Sequence, residues 1–278
     1  MVRLGHWLLV TTAALGCGGA GRTDTLRSPL EQSAIAGLGR CEGRGALALV
    51  AGRPLTILVH GNHAAPDSFA PLAEALASGG EQVACYRWRE GGRLTRAAAG
   101  LRSALGRLDG LHLPRVRVLG HSLGGLAARR ALIAEGEPLR TPIELVTVAT
   151  PFAGVASART CGKAWLRVLS LGAVAAICRR LTRGAKWRDI PPTASMIRSP
   201  GTLGPWVTDH LHVVTDERGT CRRRGNGRCL QDDLVFRPAE QDPAHVADPR
   251  LRTVRLRVGH GAVIAEPQQL REAIGRRP

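Results

Sequence analysis

The sequence is poor in aromatic residues. Phe, Trp and Tyr make up 3% of its 278 residues, so a core has to be built from Ala, Val, Leu and Ile, and an apolar pocket is expected to be aliphatic. Lysine is scarce too: Lys163 and Lys186 are the only two, yet the formal net charge is +17, so arginine carries nearly all the positive charge. A basic surface attracts anionic lipid headgroups, cell-wall polymers or nucleic acid, while arginine in place of lysine is also what a GC-rich genome writes. The arginines fall singly and in pairs, without the interleaved aromatics of a base-stacking platform, which argues against a nucleic-acid partner. The densest run, Arg222-Arg223-Arg224, sits among glycines and reads as a solvated loop. No Cys-x-x-Cys spacing occurs among the seven cysteines, which argues against a metal site. Nor is there a membrane-spanning run, since the apolar stretch over 7–15 is too short to cross a bilayer as a mature helix.

That short stretch, preceded by Arg3, reads instead as an export signal over 1–17. It ends in Ala14-Leu15-Gly16-Cys17, which resembles a bacterial lipoprotein box, in which the cysteine is lipidated after cleavage directly before it. Such a box prefers Leu three residues before the cysteine and a small residue two before it; here the two are exchanged. Ordinary signal-peptidase cleavage at a nearby small residue is the alternative. The protein is thus expected to be exported, either lipid-anchored in the cell envelope through Cys17, with contact to a membrane surface, or secreted. If Cys17 takes a lipid, six cysteines remain to pair in an oxidising compartment. Sequence proximity pairs Cys221 with Cys229 and Cys161 with Cys178, leaving Cys41 with Cys85.

Residues 18–45 are polar, glycine-rich and weakly periodic, a tether and lead-in, and the folded domain is expected over 46–278. From there apolar runs of strand length, over 46–51, 55–59, 82–86, 116–119, 143–149, 211–215 and 254–258, alternate with helical patterns. Continuous apolar runs suit strands covered on both faces. Leu94, Ala97, Ala98, Leu101, Ala104, Leu105 and Leu108 keep helical spacing and mark a crossover helix. The alternation predicts a doubly wound α/β fold with a mostly parallel sheet, whose functional residues follow the carboxyl ends of strands. An insertion over about 152–209, with a helix-like stretch over 164–181 and prolines at 191, 192 and 200, breaks the rhythm and reads as a lid or pocket wall.

The strongest chemical signal is Gly120-His121-Ser122-Leu123-Gly124-Gly125, between the strand run over 116–119 and a helical run. Glycines on either side of a serine let backbone segments approach closely, so Ser122 can occupy a sharp turn with its hydroxyl exposed. The N–H groups at the start of the following helix then face a developing oxyanion. A base should follow the last strand. His260, between Gly259 and Gly261, meets that requirement; His210, His212 and His245 are the fallbacks, and His121 is too close to Ser122 to face it. A carboxylate must fix the imidazole tautomer. Asp232 and Asp233 lie before the last strand, with Asp216, Asp209 and Asp242 as alternatives.

These residues resemble those of the bacterial lipase and PGAP1-like branch of the α/β-hydrolases, from about Leu55 to the C-terminus. The resemblance rests on His60-Gly61, on Gly120 to Gly125, on Ala149-Thr150-Pro151-Phe152-Ala153-Gly154 and on Val258-Gly259-His260-Gly261, with Asp189-Ile190-Pro191-Pro192 and Ser195 in the insertion. It implies an α/β-hydrolase fold with Ser122 as nucleophile, His260 as base and Asp233, followed by two apolar residues, as the acid. It also implies an oxyanion hole from the N–H groups of Asn62 and Leu123, with His60 shaping the loop. The chain departs from the pattern at Ala149, where Gly is usual, and at Phe152, where His is usual. The implied activity is hydrolysis of carboxylic esters or lipids through an acyl-serine, with no metal or organic cofactor. The alternatives are an acyltransferase using the same acyl-serine, and a non-catalytic envelope lipoprotein that keeps the fold.

Overall fold

Apolar runs without alternation need cover on both faces, and the sheet is built that way. The computed structural model describes residues 35–43, 47–170, 173–181 and 184–276. Its strands are β1 (Leu38–Gly39), β2 (Leu55–Val59), β3 (Gln82–Tyr86), β4 (Val116–His121), β5 (Ile143–Val148), β6 (Val207–Thr215), β7 (Cys221–Gly225), β8 (Arg228–Asp232) and β9 (Leu251–Leu256). Seven of them form one sheet in the order β1-β3-β2-β4-β5-β6-β9, parallel throughout except for the edge pair β1–β3. β7 and β8 form a separate antiparallel hairpin.

Helices cover both faces. α1 (Ala70–Ala77), α7 (Ala262–Ala265) and α8 (Gln268–Gly275) bring Leu72, Val263 and Leu270 against Leu58, Leu119 and Val146. On the other face α2 (Leu94–Leu108) and α3 (Leu123–Ala131) pack on Ile57, Val59 and Val118. All seven apolar positions of the α2 pattern are buried. Strand order reverses at β2: the chain moves out to β3, then returns to place β4 on the other side. The carboxyl ends of β2 and β4 therefore flank the switch point, where ligands of such sheets bind.

Two expectations about elements are corrected. Residues 47–51 are not a strand, because the Gln82 side chain takes the backbone that a ladder would use: the Val50 N–H donates to its Oε1 at 2.6 Å and its Nε2 donates to the Val50 carbonyl at 3.0 Å. The sheet instead recruits Leu38–Gly39 from the stretch read as lead-in, fixed by the Cys41–Cys85 disulfide and by the Arg87 N–H to the Gly37 carbonyl at 2.7 Å. The helical stretch over 164–181 is two helices, α4 (Ala164–Leu169) and α5 (Ala173–Leu181), followed later in the insertion by the short α6 (Ser195–Arg198). Disulfides join Cys41 to Cys85, Cys161 to Cys178 and Cys221 to Cys229, the pairing that sequence proximity favours. The export signal and Cys17 lie outside the described residues.

Candidate active site

Ser122 sits between the end of β4 and the start of α3 with φ 57° and ψ −130°. A non-glycine residue held there is strained by about 1–3 kcal/mol and persists only when its surroundings over-determine it. Here they do. The Ser122 N–H donates to the Val148 carbonyl at 2.8 Å, and its own carbonyl accepts from the Gly125 N–H at 3.0 Å. A Cβ on Gly120 would lie 2.5 Å from the Gly125 Cα, and one on Gly124 would run into the carbonyls of Val59 and His60. The loop after β2 crosses directly over the serine: a Cβ on Gly61 would stand 2.7 Å from Ser122 Cβ and 3.2 Å from its Oγ.

His260 lies four residues beyond β9. Its Nδ1 is 2.8 Å from Oε1 of Glu217, two residues beyond β6. β6 and β9 are parallel neighbours, with Thr215 opposite Leu256, so residues just past their carboxyl ends meet. Glu217 is fully buried and receives four donors: the His260 imidazole, the Thr215 hydroxyl and the N–H groups of Val235 and Phe236. A carboxylate so held stays in place and accepts from Nδ1–H, which leaves the Nε2 lone pair of His260 free.

Asp233, the acid expected from the sequence, does not meet the imidazole. Its Oδ2 accepts from the N–H groups of Gly261 and Ala262 at 2.9 and 3.0 Å, its Oδ1 accepts from Arg222 at 2.7 Å, and its carbonyl accepts from the His260 N–H. It fastens the loop that carries His260 while Glu217 holds the ring. Asp232 is exposed on β8, and Asp216 faces outward to Arg218. Glu217 is not among the acids expected from the sequence, although the rule that finds His260, a functional residue just past a strand, also covers it.

Ser122 and His260 line one cavity of about 1060 Å³, together with Asn62 and Leu123. Leu123 is the first residue of α3, so its N–H has no acceptor within the helix. Asn62 follows Gly61 over the serine, and its Oδ1 is buried without a hydrogen-bond partner. The insertion supplies Val155, Ala158 and Ile190 as one apolar wall, and Val235 and Phe236 extend it. Elsewhere the lining is mixed, with the polar His63, Asp67, Ser68 and Glu266 beside Ala64, Ala65, Ile264 and Ala265. Phe236 also packs edge-on against His260, ring centres 5.2 Å apart.

Four other histidines are buried in the fold. His60 stacks on Trp88, whose indole N–H donates to its carbonyl, and burial lowers its pKa. His121 is buried; burial, with His260 beside it, holds it well below its ordinary pKa, and as a neutral ring it donates from Nε2 to the His260 carbonyl at 2.9 Å. His210 is bonded to Asp248, and His212 lies between Thr147 and the Gln241 carbonyl, both in the sheet interior on β6.

Known structures share this architecture. The chain is similar to the lipase BlEst2 of Bacillus licheniformis in its mature form, at 14% identity and TM-score 0.57, over 85% of this chain and 97% of that one. It is also similar to MGS-MChE2, an α/β-hydrolase enzyme from a lagoon-sediment metagenome of Mar Chica, Morocco, at 15% identity and TM-score 0.52, over 84% and 94% of the two chains. A lipase-esterase related protein from Clostridium acetobutylicum aligns at 9% identity and TM-score 0.50, over 81% and 96%. No family model and no curated protein matches the sequence. The chain has the α/β-hydrolase fold.

Proposed function

We propose, from that fold, that the protein is an exported serine hydrolase of carboxylic esters. One observation carries the reading: His260, its Nδ1 on the buried Glu217, shares a cavity with a serine held at positive φ under the loop after β2. Ser122 Oγ attacks the acyl carbonyl as His260 Nε2 takes its proton. The oxyanion is held by the N–H groups of Asn62 and Leu123, each such donor contributing about 3 kcal/mol in the transition state. His260 returns the proton to the departing alcohol, then activates water to release the acid from the acyl-serine. The acyl group lies along Val155, Ala158, Ile190 and Phe236, and the alcohol portion meets the mixed lining.

The likeness of His60-Gly61, Thr150-Pro151 and Gly259-His260-Gly261 to bacterial lipases and PGAP1-like enzymes supports the same reading. Three disulfides suit an extracellular compartment. No described helix is long and apolar enough to cross a membrane, and attachment, on this reading, is through a lipid on Cys17.

The test is turnover of p-nitrophenyl esters of increasing chain length, with labelling by a fluorophosphonate probe. Wild type should hydrolyse the esters and take the label on Ser122, and Ser122→Ala should lose both. Equal rates in the two proteins refute the proposal. Predominant transfer of the acyl group to an added alcohol replaces hydrolase by acyltransferase.

A further inference from the structure

At the β1–β3 edge of the sheet lies a second cavity, about 320 Å³, between Ala36-Gly37, the residues after β3 and one face of α2. Among the described residues five arginines line it, Arg87, Arg89, Arg93, Arg96 and Arg107, and no acidic residue does. Asp189 neutralises Arg93. Arg87 donates to the Gly43 carbonyl at 3.2 Å, which leaves its charge uncompensated. Among the described residues Arg89, Arg96 and Arg107 form no ion pair, although every one of them is exposed and free to turn inward.

The arrangement follows the helix. Positions 96, 100, 103 and 107 advance by four, three and four residues and so share one face of α2. Arg96 and Arg107 stand about 16 Å apart along it at 1.5 Å per residue, with the small residues Ala97, Gly100, Ser103 and Ala104 on the floor between them. The floor is low because the backbone lies against a ring: a Cβ on Gly100 would strike the Tyr86 hydroxyl, and one on Gly37 would lie 2.5 Å from Tyr86 Cε2. The outer wall is fixed, since the Cys41–Cys85 disulfide and the Arg87 N–H to Gly37 carbonyl bond tie it to β3. Guanidinium groups left without carboxylates around a rigid concavity repel one another, and an anion that they can grip in pairs relieves that repulsion.

We propose that this groove binds a phosphate-bearing ligand carrying more than one anionic group, gripped by Arg96 near one end and Arg107 at the other, with Arg89 and Arg87 beside it. The site is separate from the catalytic cavity and does not depend on the esterase reading. Its test is calorimetric titration of the full-length protein with inorganic tripolyphosphate, in parallel with sedimentation on phosphatidylglycerol and on phosphatidylcholine vesicles. The Arg96→Ala/Arg107→Ala protein is compared with Arg223→Ala/Arg224→Ala, which removes the same charge from the exposed β7, and thermal melting verifies that both fold. Wild type should bind saturably. The α2 pair should weaken binding at least tenfold, and the β7 pair less than twofold. Loss on phosphatidylglycerol vesicles as well as tripolyphosphate makes a lipid headgroup the source; loss on tripolyphosphate alone makes it a free phosphate compound. Equal weakening by both double variants, or no saturable binding by wild type to either probe, overturns the site.

Discussion

A carboxylate that accepts from an imidazole and one that accepts from a loop's backbone and an arginine have different kinetic signatures. Glu217→Gln leaves the volume of the buried side chain almost unchanged but no longer fixes the His260 tautomer, so kcat for an ester should fall roughly 10³–10⁴-fold with KM little altered. Asp233→Asn keeps the imidazole on Glu217 and loosens the turn at Gly261 and Ala262, so it should lose at most about 10²-fold. Steady-state kinetics of the two proteins decide the matter, and a greater loss in Asp233→Asn would return the acid's role to Asp233. Ser122 and His260 stand out in the sequence because each carries its own local mark, glycines beside it after a strand. Glu217 carries none. Choosing it requires knowing that β6 and β9 are neighbours, which is a fact of pairing and not of either segment.

Elements whose stabilisation is local are the ones a sequence displays. The apolar stripe of α2 is a property of one helix and is legible residue by residue. β1 is not: two residues beside glycines have no period, and they are held on the sheet by the Cys41–Cys85 disulfide and the Arg87 N–H to Gly37 carbonyl bond. The insertion between β5 and β6 lies between these cases. Its small cluster of Cys161, Cys178 and Trp187 is closed by a disulfide across 17 residues, a cross-link worth about 3 kcal/mol against local opening. Cys161→Ser/Cys178→Ser should therefore open the insertion to limited proteolysis. Because the insertion supplies Val155, Ala158 and Ile190, the same change should raise KM for long-chain esters several-fold, with short-chain turnover within about twofold. A uniform loss across chain lengths would show that the insertion supports the serine and not the acyl wall.

Over the whole molecule, buried histidines set the response to acid. Burial brings His212 from its ordinary 6.5 to about 4 and holds His121 well below its usual value. The unfolded chain therefore takes up these protons before the fold does. Their contribution to stability is complete above about pH 6.5 and is lost as the pH falls toward 4, on the order of 3 kcal/mol for His212 alone. Urea midpoints measured at pH 7.5, 5.5 and 4.5 should fall steadily, and His212→Asn should flatten the slope; a midpoint that rises on acidification contradicts this account.

The stapled β1 also has a meaning for behaviour in solution. A parallel sheet ending at β3 would offer a row of unused N–H and C=O groups to any passing chain, the usual route to edge-on aggregation. Two residues running antiparallel, held by a covalent bond from Cys41, cover part of that row. The Cys41–Cys85 link is thus a guard against self-association, and a Cys41→Ser/Cys85→Ser protein, with the other two disulfides intact, should lose colloidal stability while Ser122, Glu217 and His260, just past β4, β6 and β9, remain assembled.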